Sequence, residues 1–501
     1  MTLSAHYPIL QVIIPLMSAP ICVIVRNNTL VRWIATLASW VSLFISLQLM
    51  DRVLEEGTIR YVLGGWVAPM GIEYRIDLLN AFLLVVISLI GALVSIYGKV
   101  TVEKEIPESR VYLYYIVYLL AMTGLLGMIV TGDMFNQFVY LEVTALASYT
   151  LIAIGSTHRK NRDALIASFR YLVLGTIGGT FFVIGIGLIY MATGALNLVD
   201  MATRIQELGG VVDNRTLQAA LAFLIVGLAL KMALFPLHFW QPEAYAQAPS
   251  AVSVFLAATA TKVAVYLLMR ALYTVFGSVD LFATTLFDEV LLVLAVMAMF
   301  VGSLSAIWQV NIKRLLAYSS IAQIGYIVLG IAIGNTMALA GGIVHMFNHA
   351  LIKGALFMVM GAVFYRIGSV DITAMRGLGK RMPFTMAAFT AAGLSLIGVP
   401  LTAGFISKWY LVTGVIQAGH LWVAVLILLS SLLAVFYIWK VIEVAYFQPV
   451  SDELQGVTDP PLSMLVPMWV LTLMAIYFGV DAETTGMISQ KAAEYLIGGG
   501  R

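Results

Sequence analysis

Five ionisable residues stand inside apolar stretches of this chain: Glu142, Lys231, Lys262, Lys353 and Lys408. Each costs at least ~2.5–3.5 kcal/mol to place in hydrocarbon on insertion scales, so five without a use would be a heavy load. The chemistry that suits them is proton movement. A lysine in water, with a pKa of about 10.4, keeps its proton at neutral pH. Desolvation and a second cation loosen that hold, and a nearby carboxylate restores it. At ~6 Å and an effective dielectric of ~20, an acid–lysine pair interacts by about 2.8 kcal/mol. Moving or neutralising Glu142 would therefore switch a lysine partner between holding and releasing its proton, and lysines in series with one acidic control element make a proton relay. Two simpler roles compete: Lys231, near its helix end, as an interfacial anchor, and Glu142 as a purely structural counter-ion.

Histidines fall beside these groups. His345 and His349 are four residues apart, with Lys353 four further on, so all three share one helix face. Neutral imidazole both donates and accepts, which fits a relay between lysines and fits hydrogen-bonded glue between helices equally well. Two histidines on one face of one helix cannot clamp opposite sides of a haem iron. His238 lies two residues after Pro236 and either lines the path or ties down carbonyls freed there. His158 and His420 read as loop residues, and His6 carries no information. Asp77 reads as a helix cap.

The elements that must position these groups are membrane spans. The chain has 501 residues, 61% hydrophobic and 11% charged, with a mean hydropathy of +0.96. Soluble proteins are about 25% charged, so this is an all-α polytopic membrane protein. One cysteine, Cys22, excludes a disulfide framework and a thiolate metal cluster. A net charge of +2 without a basic stripe gives nucleic acid nothing to hold. The N-terminus lacks a positive n-region, so the first apolar stretch reads as a retained helix.

Runs long enough to span occur near 8–25, 30–50, 77–98, 111–130, 134–156, 167–192, 217–235, 250–275, 288–308, 315–334, 340–365, 384–417, 420–446 and 463–480, about fourteen helices. Pro236 stops or breaks the seventh, and Gly398-Val399-Pro400 interrupts the over-long twelfth. The two breaks sit five spans apart. Spans four to eight and nine to thirteen therefore read as duplicates, and an odd number makes them upside down to one another, the pattern that points to a transporter's path at the midplane. Four sections follow: 1–110 with three spans, 111–278 and 279–447 as the repeats, and 448–501 with a loop and the last span. Lysine and arginine concentrate in the odd-numbered connections (Arg26, Arg32; Lys99, Lys104, Arg110; Arg159, Lys160, Arg162; Lys313, Arg314; Arg366, Arg376, Lys380, Arg381), against Arg52, Arg60, Arg75, Arg204 and Arg215 in the even ones. Odd connections are thus expected in the cytoplasm and both termini outside. The stretch 193–216 reads as a short amphipathic surface helix.

The chain holds no Walker-type phosphate loop, dinucleotide fingerprint, zinc spacing or nucleophile elbow, and its loops are too short for a catalytic domain. No cofactor or metal site is expected, and the driving force must come from an ion gradient or a partner.

The run KMALFPLHFWQPEAYAQAPSAVSVFLAATATKVAVYLLMR from Lys231 resembles the signature of the proton-translocating antiporter-like subunits of respiratory complex I, membrane-bound hydrogenases and Mrp cation/proton antiporters. IKRLLAYSSIAQIGY at 312–326, HMFNHALIKGALF at 345–357 and GVPLTAGFISKWYL at 398–411 fit the same family, in order, across 111–445. The resemblance implies fourteen helices, inverted five-helix repeats and a charged axis across the midplane. It makes Glu142 the partner of Lys231, Lys262 the bridging lysine, and His345, His349 and Lys353 the connecting residues. Lys408 matches a terminal position that is glutamate in some members. With little chain after the last span, the pattern is most similar to the D-type subunit of the Mrp-type Na+/H+ antiporters. This implies a non-enzymatic transporter subunit in a prokaryotic cell membrane, moving H+ to drive Na+ efflux beside other hydrophobic subunits. A proton-pumping membrane subunit of a redox complex is the second reading. A subunit whose charges serve assembly alone is the third, and the intact set of five charged residues argues against it.

Overall fold

The computed structural model describes residues 3–157, 162–277, 281–282 and 285–499; His158, Arg159 and Lys160 lie outside them. The chain is a helical bundle: α1 (Tyr7–Val25), α2 (Asn28–Glu56), α3 (Leu78–Glu105), α4 (Val111–Val130), α5 (Met134–Ala153), α6 (Arg162–Thr193), α7 (Leu198–Glu207), α8 (Arg215–Met232), α9 (Trp240–Gln247), α10 (Ser250–Ala258) and α11 (Ala260–Met269). There follow α12 (Phe287–Ile307), α13 (Ile312–Ile333), α14 (Thr336–Ile367), α15 (Pro383–Ile397), α16 (Ala403–Gln417), α17 (Leu421–Phe447), α18 (Leu462–Val480) and α19 (Ala482–Ile497). A two-stranded antiparallel hairpin, β1 (Ile59–Val62) and β2 (Glu73–Ile76), fills the second connection. Neither that hairpin nor α19 was expected from hydropathy.

Among the described residues, twelve helices are long and apolar enough to cross a membrane. The two other expected spans are those with the most interruption or polarity. One is α5, with Asn136, Gln137 and Glu142; the other is the broken pair α15 and α16. The expected surface helix is α7, which is amphipathic, burying Leu198, Met201, Ala202 and Ile205.

Both expected breaks are present. After α8 the backbone turns left-handed at Ala233 (φ 58°), passes a cis Phe235–Pro236 bond and resumes at Trp240. After α15, Gly398 (φ 92°) and Leu401 (φ 69°) carry the turn into α16. Glycine suits the first of these because it has no Cβ penalty there. A third break was not expected: the eighth span is α10 and α11 with Thr259 between them (φ −121°, ψ −60°), then a π-helix at Arg270–Val275. No proline or glycine marks Thr259. Its hydroxyl donates to the Phe255 carbonyl at 2.6 Å, a back-bond that bends helices.

The connections sort onto two faces. The odd-numbered ones meet at one: Gly155, Pro249, Asn311 and Asp371 line a single cavity with Glu105. Arg75, Thr131, Leu198 and Arg270 meet at the other, where the termini also lie, Ser4 accepting from Arg52 and Tyr495 from Arg75. One backbone device is built on both. Met134 N donates to Leu196 O and Leu198 N to Gly132 O, both at 2.9 Å; Ile312 N donates to Val370 O and Ile372 N to Val310 O, both at 3.0 Å. Asp133 caps the helix after the first bridge, and Asn311 the helix after the second.

At the centre stands α14, in contact with α3, α10, α13, α15, α16, α18 and α19. Asp77 is indeed a cap, accepting from Leu79 N and Asn80 N, but it does more. It receives Arg270 Nη2 at 2.6 and 2.5 Å in an ion pair at most 4% exposed, and Arg270 also donates to Asn80 and to the Tyr266 hydroxyl. This joins the start of α3 to the π-helix. Asp77→Asn leaves Arg270 uncompensated and is expected to cost about 3–5 kcal/mol, whereas Asp77→Leu with Arg270→Met recovers most of it. Thermal unfolding in detergent checks both, and equal stability of Asp77→Asn and wild type would contradict it.

Candidate functional site

The site begins where α5, α6 and α8 touch. Lys231 Nζ lies 3.4 Å from Glu142 Oε1. The approach depends on Gly178 and Gly179 of α6. A Cβ on Gly178 would meet the Gly227 carbonyl at 3.1 Å, and one on Gly179 would lie 2.1 Å from Glu142 Oε1. Glycines at helix interfaces let backbones come this close. The pair differs from expectation in one respect. Glu142 was read as deeply buried, but α5 flanks the bundle and the side chain is 29% exposed, against 8% for Lys231.

Lys231 also lines a cavity of about 30 Å³ with Tyr171, Ala260 and Ala264, which links it to the start of α11. That volume is about one water's share of the liquid. Lys262, on the first turn of α11, is fully buried, and its ammonium donates to the Ala257 carbonyl just before the Thr259 break. The cavity thus joins Lys231 to the Ala260–Ala264 face of α11, the helix that carries Lys262.

The second half follows without interruption. Lys353 is fully buried, with Nζ 2.8 Å from the Leu316 carbonyl and bonded to the Ser319 hydroxyl. The rings of His345 and His349 are nearly parallel, 6.0 Å apart. The charges of Lys262 and Lys353 act on His349, and those of Lys408 and Lys262 on His345. Among the described residues, neither ring nitrogen of His349 has a partner, nor do His345 Nε2 and Asn348 Oδ1. Four orphaned polar atoms at a helix centre are a place for water or a moving proton, since buried polar groups are otherwise satisfied. His345 Nδ1 pairs with Ser407 Oγ at 2.8 Å, one residue from Lys408. Lys408 donates to the Leu396, Ile397 and Ser431 oxygens at 3.2, 2.7 and 2.8 Å and lies over the Tyr326 ring. The two carbonyls end α15, freed by the Gly398–Pro400 break.

Lys262, Lys353, Lys408 and both central histidines thus fall together in the core, with the Glu142–Lys231 pair at its flank. His238 stands apart beside the first break, 4% exposed, its ring 5.5 Å from Phe235 and 4.6 Å from Phe239, with Nδ1 unpartnered. The sequence reasoning missed Gly178, Gly179, Thr259, Ser319, Ser407 and Ser431. A Gly-Gly pair inside an apolar run and the Ser319-Ser320 pair were the available signals.

The fold and site define a polytopic helical membrane protein with an ionisable axis in its core. The chain belongs to the NADH:quinone oxidoreductase/Mrp antiporter transmembrane family, whose profile matches residues 131–434, and is a membrane subunit of that proton-antiporter type. It is 40% identical to NADH-quinone oxidoreductase subunit N of Desulforudis audaxviator over 96% of this chain and 97% of that one. It is 31% identical to the D-type subunit of the Na(+)/H(+) antiporter of Bacillus subtilis over 98% and 97%. A chain in the Mrp complex of Dietzia superposes with a TM-score of 0.89 at 25% identity, covering 99% of this chain and 98% of that one.

Gly179→Ala places a methyl where the Glu142 carboxylate rests, and the flexible side chain must leave Lys231. Proton flux is expected to fall as it does in Glu142→Gln. Gly187→Ala on the same helix, with nothing within 4 Å of the added carbon, is expected to leave it intact. Measuring both in vesicles checks this; unchanged flux in Gly179→Ala would contradict it.

Proposed function

We propose that this chain is the proton-carrying subunit of a multi-subunit Mrp-type cation (Na+)/proton antiporter, moving H+ along Glu142, Lys231, Lys262, His349, Lys353, His345 and Lys408 to drive Na+ efflux. One observation carries the reading: the series of buried ionisable groups from the α5 flank to α16, whose four lysines all donate to oxygens. His238, at the first break, is a further relay candidate. In the first half, Glu142 holds the proton on Lys231. When that contact loosens, Lys231 releases its proton into the gap toward Lys262, and the neighbouring ammonium groups push charge on through the histidines to Lys408.

The same reading takes 111–278 and 279–447 as inverted repeats, with 1–110 and 448–501 outside them and about fourteen crossings in all. The paired backbone bridges on opposite faces support it. So does the arginine and lysine bias, which puts the odd connections in the cytoplasm and both termini outside a prokaryotic cell membrane. The partial exposure of Glu142 supports hydrophobic partner subunits against α5. Because Glu142 is engaged with Lys231, the sodium path lies partly elsewhere, in a partner or at an interface.

A second reading, a proton-pumping membrane subunit of a redox complex, is favoured by the 40% identity to an NADH-quinone oxidoreductase subunit over nearly the whole chain. Inverted vesicles holding the native complex, energised by respiration and followed with a pH-sensitive dye, separate the two. Sodium-dependent dye recovery that is lost in Glu142→Gln and Lys408→Ala, with the complex assembled, is the expected result. No sodium response in wild type, with flavin or iron–sulfur subunits co-purifying, moves the assignment to the redox reading. A sodium response that survives both substitutions would overturn the axis.

A further inference from the structure

A cavity of about 500 Å³ opens on the face where the odd connections meet. Lys104 and Asp371 stand at it, with Glu105 and Lys313 within. Glu105 closes α3 and Lys313 opens α13, so hydropathy alone makes them loop charges. The structure turns both inward. Glu105 Oε2 accepts the Ser250 N–H at 2.8 Å, and Oε1 is shut off from solvent with no partner. Lys313, 4% exposed, donates to the Ala248 carbonyl and the Ser250 hydroxyl, both at 3.3 Å. Ser250 therefore stands between an acid and a base that do not touch.

From there, polar groups on two helices extend toward the axis. Along α13, Leu316 lies one turn beyond Lys313 and Ser319 and Ser320 two turns beyond, about 4.5 Å and 9–10 Å of rise. The Leu316 carbonyl and Ser319 hydroxyl are the oxygens that hold Lys353. Along α3, Tyr97 donates to the Met358 carbonyl of α14 at 2.8 Å, a little over one turn from Lys353. Gly361 makes room, since a Cβ there would lie 2.2 Å from the Tyr97 hydroxyl and 2.8 Å from Ser250 Cβ. A second cavity lies at the matching backbone bridge on the opposite face. It is about 10 Å³ and is lined by the Asp77–Arg270 pair.

We propose that this cavity is the mouth through which protons reach Lys353, with Glu105 and Lys313 as its proton-binding groups. This rests on the reading that the axis carries protons. A proton from water binds the Glu105 carboxylate. It passes through the Ser250 hydroxyl and Lys313 to the neutral amine of Lys353, and Glu105 is left as the carboxylate again. The second half of the axis is thereby loaded directly, independently of Glu142 and Lys231.

The test uses the native complex in vesicles, with passive proton flux measured under an imposed pH gradient. Glu105→Gln keeps the acceptor for Ser250 N–H but cannot bind and release a proton, and Lys313→Met keeps the apolar stem. Both are expected to lower flux about tenfold or more in assembled complex. Ser369→Cys, at the mouth, is labelled in parallel with a bulky membrane-impermeant thiol reagent; the native Cys22 is buried. Labelling is expected to stop flux, and this arm decides the matter if Glu105→Gln fails to assemble. Lys353→Met is the reference. Flux that is lost in Lys353→Met but unchanged by Glu105→Gln or by labelling overturns the mouth and leaves the axis standing. Flux unchanged in Lys353→Met overturns the axis, and the mouth with it.

Discussion

A charge in a low-dielectric interior must be given oxygens, and an apolar helix offers almost none, because each carbonyl is already bonded four residues on. The structure meets this constraint by breaking helices. Lys408 is held by the Leu396 and Ile397 carbonyls at the end of α15, and Lys262 by the Ala257 carbonyl beside Thr259. Lys353 borrows the Leu316 carbonyl, which already serves the Ser319 and Ser320 hydroxyls. Of these four lysines, only Lys231 has a carboxylate partner among the described residues. The other three lean on neutral oxygens, which accept a hydrogen bond without fixing the proton as a counter-charge would. The breaks supply the oxygens for Lys262 and Lys408, and the unbroken α13 supplies those for Lys353.

This gives the two halves of the axis different characters. Glu142 and Lys231 form an ion pair at the flank, with Glu142 partly exposed beside α5. From Lys262 to Lys408 the groups are sealed among α10, α11, α13, α14 and α16, with the unpartnered nitrogens of His349 between them. The gap at Lys231, Ala260 and Ala264 lies against α11, the helix that carries Lys262.

Much of this was legible in the sequence because a lysine or proline inside an apolar run is conspicuous whatever surrounds it. The five charged positions, the Pro236 and Pro400 breaks, the His345–His349–Lys353 face and the α7 surface helix all came from such contrasts. What was not legible depended on partners distant in the chain. Arg270 closes the eighth span and looks like an end charge until Asp77, in another span, is brought to it. Glu105 and Lys313 look like loop charges until Ser250 is set between them. Thr259 stands at its break with a hydroxyl back-bond of a kind that intact helices of this chain also carry, as at Thr123 and Ser148, so its residue type does not mark the break. The depth of Glu142 could be counted from Asp133, but its lateral exposure depends on which neighbours cover α5.

The central claim is that protons pass through the middle of the bundle, from one half of the axis to the other. Lys262 is the residue to change, being fully buried and, among the described residues, hydrogen-bonded to the Ala257 carbonyl of its own span. The measurement is proton flux through purified, reconstituted complex carrying Lys262→Met, a change that keeps the buried volume and removes the titratable amine. Flux is expected to fall by about tenfold or more with the subunits still assembled. Flux equal to wild type in the assembled variant would contradict it.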